Sequence, residues 1–349
     1  MTATERFTVP YARIGDRELR LHVERPVDRM GPLPMLLDVH GGAWTHFDPR
    51  VDSYWCHGLA QRGFITASAE FRLAPAHRWP APFEDVRAAA RWLRHHAAQL
   101  GGDAASIGAI GGSSGGHMVA CLALWPGGEP GDAAPTPAID TPDTTDASVA
   151  FAVALWPILD VPARYAMVRD ARFGRITESL ARRIRGTRPR AAPPTTALHA
   201  RIEQLAALRD THPRRGDAIT ALLQRINAMQ GRAPLAQALL YTELTAAHEG
   251  AFADVAAMER ASPLHRIREH GAERMPPLLV VQGLADPNLT PAMTEAFASA
   301  YRAKGGAIDV FFEAGLGHSY GNLPSRAADQ LIERIDGFAR SVLARRAGE

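Results

Sequence analysis

Lysine is almost missing from this chain: Lys304 is the single lysine among 39 lysine and arginine residues. The arginines are scattered and offset by 37 acidic residues, which leaves a formal net charge of +2. Without a clustered basic run there is no electrostatic footprint for nucleic acid or for an anionic membrane surface. Cysteine is scarce as well. Cys56 and Cys121 are too few for a disulfide framework and lack metal-ligand spacing, so both read as small buried apolar residues. No window approaches the roughly 18 uninterrupted apolar residues of a membrane-spanning helix. Met1 to Phe7 hold no apolar signal core. The expectation is a soluble, cytoplasmic protein with neither nucleic acid nor membrane as partner, and with no metal site.

What is present is an alternation of apolar strands and amphipathic helices over 349 residues, enough for one large α/β domain with an insertion. Residues 6–26 alternate apolar and polar around Gly15-Asp16, the pattern of an antiparallel hairpin. Pro34 to His40 is a continuous apolar run of the kind buried on both faces of a parallel sheet. Helices are expected over 53–62 and 83–100, and strands over 64–70, 107–110, 149–156, 276–282 and 307–313, with a closing helix over 325–345. Strands and helices in this order predict a doubly wound, mostly parallel sheet. Residues 126–148, rich in Pro, Gly, Asp and Thr, read as a surface excursion. Between 162 and 264 the rhythm stops. Helical periodicity near 176–186, 196–210, 216–230, 234–248 and 251–260, without strand signals, predicts a helical insertion, read as a cap over the site, the alternative being a helical appendage placed elsewhere for packing or dimerisation.

The most informative stretch lies between the strand at 107–110 and a helix whose apolar part starts at Met118. Gly111-Gly112-Ser113-Ser114-Gly115 fits the nucleophile elbow G-x-S-x-G, in which glycines make room for a serine on a strained strand-to-helix turn. The pentapeptide alone also describes a Gly/Ser turn; the strand before it and the helix after it favour the elbow. A second register, Gly112 to Gly116 with Ser114 at the apex, also satisfies the pattern. The first is preferred because it leaves Gly116, not His117, at the helix start.

A serine nucleophile needs a base and a carboxylate to orient that base, in the chain order Ser, Asp, His for such an elbow. Asp286 follows the strand at 276–282, and His318 sits in the Gly-rich loop after the strand at 307–313. These are the expected catalytic partners of Ser113. For the oxyanion of an acyl-transfer intermediate, Gly42 and Ala43, in His40-Gly-Gly-Ala-Trp44 after a strand, together with Ser114, are the expected backbone N–H donors. Trp44, Phe47, Trp55, Trp156 and Tyr320 lie in or beside loops at strand carboxyl ends, where they are candidates for a substrate pocket or for core packing.

Together these residues, with Phe71-Arg-Leu-Ala-Pro75 and Pro80-Ala-Pro-Phe-Glu-Asp-Val86, resemble the α/β-hydrolases of the hormone-sensitive-lipase and feruloyl/acetyl-esterase kind. The resemblance covers about 35–125 and 262–345. It departs from the family pattern at Gly112, Ala43 and Phe71, none of which removes a catalytic group. It implies an α/β-hydrolase core at 1–161 and 265–349 around a cap at 162–264, and a carboxylesterase working through an acyl-enzyme without a cofactor. The H-G-G-x-W loop also resembles kynurenine formamidases, so an arylformamide or other amide is the alternative substrate. A non-catalytic, ligand-binding version of the fold is the third reading, set against the presence of all three triad residues. A small-molecule ester is the expected partner; a homodimer is left open.

Overall fold

The computed structural model describes residues 2–28, 31–128, 141–142, 145–171 and 234–348. The expected helical segments at 176–186, 196–210 and 216–230, and much of the 126–148 excursion, lie outside the described residues. Eight strands form one sheet: β1 (Thr4–Ile14), β2 (Arg17–Pro26), β3 (Leu33–Val39), β4 (Ile65–Ala69), β5 (Gly102–Gly112), β6 (Phe151–Leu155), β7 (Leu278–Gly283) and β8 (Ile308–Glu313). Their spatial order is β1-β2-β4-β3-β5-β6-β7-β8. The hairpin β1/β2 and the β2/β4 pair are antiparallel, and every pair from β4 to β8 is parallel. That division follows from the residues. β6 and β7 are apolar apart from Gln282 and Gly283 and are buried along their whole length, whereas β1 alternates between exposed and covered positions.

Helices α1 (Ser53–Ala60), α2 (Ala81–His95), α3 (Ala97–Leu100) and α4 (Ser114–Leu124) flank the sheet. Pro82 sits in the first turn of α2, where a missing N–H costs nothing. The closing helix Arg326–Ala347 is capped by the Ser325 hydroxyl, which accepts the Ala328 N–H at 3.1 Å. Two differences from the sequence reading bear on the site. α4 begins at Ser114, four residues before its apolar stretch, because the small residues ahead of Met118 are helical too. A helix at Pro291–Ala303, unassigned from sequence, follows β7.

By internal contacts the chain divides into two units, Met1–Pro162 with Gly250–Glu349, and Ala163–Glu249. In the second unit its two described ends are joined: Arg164 Nη1 lies 3.3 Å from His248 Nε2, and the Tyr165 hydroxyl donates to Glu249 Oε1 at 2.9 Å. The helices Val255–Ala261 and Pro263–Glu269, partly inside the expected insertion, belong to the first unit. Their link to it is direct, since Leu264 N–H and the Ser262 hydroxyl both donate to Leu159 O, at 3.0 and 3.3 Å.

The polar ties of the core include two near β3 and β4. Arg72, after β4, grips Asp85 of α2 with its Nε at 2.9–3.0 Å and its Nη2 at 2.7 Å, and its backbone N–H adds a bond at 2.7 Å. Beneath β3, the buried carboxyls of Asp38 and Asp52 form the second. Asp38 accepts the Trp55 indole N–H at 3.1 Å and Asp52 accepts from Asn322 Nδ2 at 3.0 Å. Burial pushes Asp38 up to about 7, and burial together with the charge of Asp38 pushes Asp52 well up as well. A carboxyl raised in the folded state contributes stability that is complete below its unfolded pKa of about 3.9 and is lost as pH rises through the folded value. Thermal unfolding should therefore show Tm falling between about pH 4 and pH 7 more steeply in the wild type than in Asp38→Asn. Parallel curves for the two proteins would contradict the raised carboxyl.

Candidate active site

Four loops leave the carboxyl ends of parallel strands β3, β5, β7 and β8, and they carry the expected site residues. At the end of β5, Ser113 has φ 57° and ψ −119°, a strained conformation for a residue with a side chain. Its N–H is fixed to Leu155 O at 2.9 Å. The turn closes because α4 runs against the end of β3. A Cβ on Gly115 would lie 1.9 Å from Val39 O, so only glycine lets the helix start there. The elbow is thus a packing requirement as much as a conformational one.

The structure brings Ser113, His318 and Asp286 together. His318 Nε2 lies 3.0 Å from Ser113 Oγ, and His318 Nδ1 lies 2.8 Å from Asp286 Oδ2. Asp286 Oδ1 accepts the Asn288 N–H at 2.7 Å, so each carboxylate oxygen has a donor. A carboxylate can only accept, which puts the imidazole proton on Nδ1 and leaves Nε2 free to take the serine proton. Asp286 is fully covered, the His318 side chain is 14% exposed and Ser113 is 9% exposed. The His318 loop reaches the serine by crossing close over β7, where a Cβ on Gly283 would sit 2.2 Å from Leu316 O.

On the opposite side, the loop after β3 has three successive residues at positive φ: Gly42 (114°), Ala43 (51°) and Trp44 (63°). The backbone N–H groups of Gly42, Ala43 and Ser114 donate to no atom of the described residues, as donors reserved for an oxyanion would. His40, at the head of the loop, stacks on Phe71 at 4.2 Å and bonds Gly41 O through Nδ1 at 2.7 Å. Burial lowers its pKa to about 4, so it is neutral and structural.

Of the five aromatic residues expected around a substrate, Trp44, Trp55 and Trp156 are buried in the interior. Trp55 and Trp156 pack together behind the elbow with ring centroids 6.0 Å apart, and Trp156 also meets Tyr320 at 5.0 Å. Phe47 and Tyr320 are the two with partial exposure. Two contacts were not foreseen from sequence. The Ser114 hydroxyl accepts the Trp44 backbone N–H at 3.2 Å, and His117 Nδ1 accepts the Trp44 indole N–H at 3.1 Å. The one local signal was a buried indole N–H needing an acceptor beside an elbow that is followed by histidine. Among the described residues, no group of three or more His, Cys, Asp or Glu is spaced to hold a metal ion, and no helix is long and apolar enough to cross a membrane.

Against solved structures the chain aligns over 97% of its length with 94% of butyrate-bound esterase 2 of Thermogutta terrifontis, at a TM-score of 0.61 and 20% identity. The same esterase phosphorylated by paraoxon aligns at a TM-score of 0.59 and 18% identity, again over 97% of this chain and 94% of that one. The fold is that of the α/β-hydrolases. Residues 21–184 match the BD-FAE family and residues 234–346 the prolyl oligopeptidase family. Esterase LipC of Mycobacterium tuberculosis is 39% identical over 94 residues, which are 27% of this chain and 23% of LipC. Carboxylesterase NlhH of the same organism is 36% identical over 121 residues, 34% of this chain and 37% of NlhH. The matches thus span well under half the length of these relatives.

If the elbow rests on the close approach of α4 to β3, Gly115→Ala should lower Tm by about 5 °C or more and abolish any activity of Ser113. Calorimetry beside a turnover assay checks this. An unchanged Tm would mean that the strand and helix are not held at the spacing described.

Proposed function

We propose that this α/β-hydrolase is a carboxylesterase-type serine hydrolase acting on a small-molecule ester. The observation that carries the reading is the unbroken relay from Asp286 Oδ2 through His318 to Ser113 Oγ, with bonds of 2.8 and 3.0 Å. In this reading Ser113 Oγ attacks the ester carbonyl carbon while His318 Nε2 takes the hydroxyl proton. Asp286 holds the imidazole tautomer and stabilises the imidazolium that forms. The carbonyl oxygen becomes an oxyanion, met by the N–H groups of Gly42, Ala43 and Ser114. Collapse of the intermediate breaks the ester C–O bond, and the alcohol leaves with the proton from His318. Water then repeats the cycle on the acyl-serine, with His318 again as base, and releases the acid. No cofactor enters either half.

The names of the similar proteins support this reading: LipC and NlhH are an esterase and a carboxylesterase, and the Thermogutta esterase takes a phosphoryl group from paraoxon. Ser113→Ala should lower kcat on p-nitrophenyl acetate by several orders of magnitude, to about the rate left by binding and the oxyanion donors alone. Wild-type turnover by the variant would contradict the assignment of Ser113. The same assay run with N-formylkynurenine separates the ester reading from the formamidase alternative, since an arylformamidase would prefer the amide by kcat/KM.

The insertion at 162–264, whose contacts delimit a unit at Ala163–Glu249, is proposed to select the substrate. Its support is topological: the chain departs shortly after the carboxyl end of β6, the edge at which open α/β sheets bind ligands. Replacing 163–249 by a short linker should change kcat/KM for long-chain esters relative to acetate, because remote contacts act through differential transition-state binding. An equal loss on all esters would mark the insertion as structural.

A further inference from the structure

Trp44 ties the Gly42–Trp44 loop to the rest of the core, and among the described residues it does so through three polar atoms. Its carbonyl accepts the Ala74 N–H at 3.0 Å. Its backbone N–H donates to Ser114 Oγ at 3.2 Å, and its indole Nε1–H donates to His117 Nδ1 at 3.1 Å. The last two acceptors both belong to the first turn of α4, which opens with Ser114, whose N–H is an oxyanion donor in the reading proposed above.

The His117 ring is spoken for on both sides. Its Nε2 lies 2.8 Å from Ala261 O, and the ring is wholly buried. An indole nitrogen can only donate and a carbonyl oxygen can only accept. Both contacts are therefore made at once only by the neutral tautomer that carries its proton on Nε2. Trp44 gains further support edge-on from the His117 ring at 5.4 Å and from Phe252 at 5.0 Å. This support matters because Ala43 at φ 51° and Trp44 at φ 63° occupy a region that residues with side chains keep only when their surroundings over-determine it.

We propose that His117 and the Ser114 hydroxyl are positioning residues that latch the Gly42–Trp44 loop to α4 and so hold the two halves of the oxyanion hole in register. The inference rests on the esterase reading given above. Neither side chain touches the reacting atoms; both act through Trp44. An oxyanion donor contributes only at hydrogen-bond distance from where charge develops, so a small displacement of the loop weakens the transition state more than the bound substrate. Loosening the latch therefore lowers kcat and leaves KM unchanged.

Two substitutions of His117 separate positioning from packing. In His117→Asn the amide oxygen falls near the place of Nδ1 and can still accept from Trp44, while the bond to Ala261 is lost. In His117→Gln the amide nitrogen falls near Nε2, and the Trp44 indole loses its acceptor. Each variant removes one buried bond, but only the second opens the latch. On p-nitrophenyl acetate, kcat should stay within about threefold of wild type in His117→Asn and fall by about tenfold to a hundredfold in His117→Gln at unchanged KM. Affinity for a trifluoromethyl ketone, whose adduct carries the oxyanion, should fall by the same factor as kcat. Equal losses in the two variants, or a change in KM alone, would overturn the latch. Should the His117 variants not fold, Ser114→Ala keeps the elbow backbone and removes one acceptor; a fall in kcat of severalfold at unchanged KM supports the latch, and wild-type kcat overturns it. A wild-type enzyme without an acyl burst on the ester would overturn the esterase reading, and the latch with it.

Discussion

The approach of Gly115 to the Val39 carbonyl, too close for any Cβ, is the constraint on which the site depends. It lets α4 begin one residue after β5 turns, and so it places Ser113 at φ 57° on the rim of the sheet. Strain of this kind survives only where neighbours enforce it. The enforcement is visible in the Ser113 N–H bound to Leu155 O of the adjoining region of β6, and in Trp156 packed against Gly112. The serine is thus aimed by the sheet, through three adjacent strands, and not by its own rotamer alone.

From that fixed point the chemistry follows from topology. In a parallel sheet every strand delivers its following loop to the same edge, so β3, β7 and β8 bring an N–H-rich loop, a carboxylate and an imidazole to the serine from separate parts of the chain. Burial then decides their character. The Asp286 side chain is fully covered and has a donor at each oxygen, whereas Asp38 and Asp52 each keep one oxygen without a partner, and their burial pushes them towards the neutral acid. One fold therefore holds a carboxyl with a donor at each oxygen beside the His318 imidazole and, elsewhere, a pair of raised carboxyls.

The strand-helix alternation, the elbow and the chain positions of Asp286 and His318 were legible in the sequence because each is a local pattern tied to a strand end. Ser113 could be preferred over Ser114 for the same reason. What was not legible depends on pairing across the fold. β5 starts at Gly102, five residues before its apolar core, because Gly102 pairs with Leu33, a contact that no periodicity reveals. Trp156 directly follows β6 and Trp55 lies far from it in α1, yet their rings pack against each other in the interior. His117 read as a residue that would crowd the helix start; its role as the acceptor for Trp44, 73 residues earlier, appears only when α4 and the loop after β3 are side by side.

In the proposed reading Ser113, aimed by the elbow, is the nucleophile. Treating the protein with diethyl p-nitrophenyl phosphate, and comparing the mapped adduct with the activity that remains, tests it most directly. One diethylphosphoryl group is expected, on Ser113, with activity lost in proportion to labelling. An adduct on Ser114, or full labelling of Ser113 with activity retained, would contradict it.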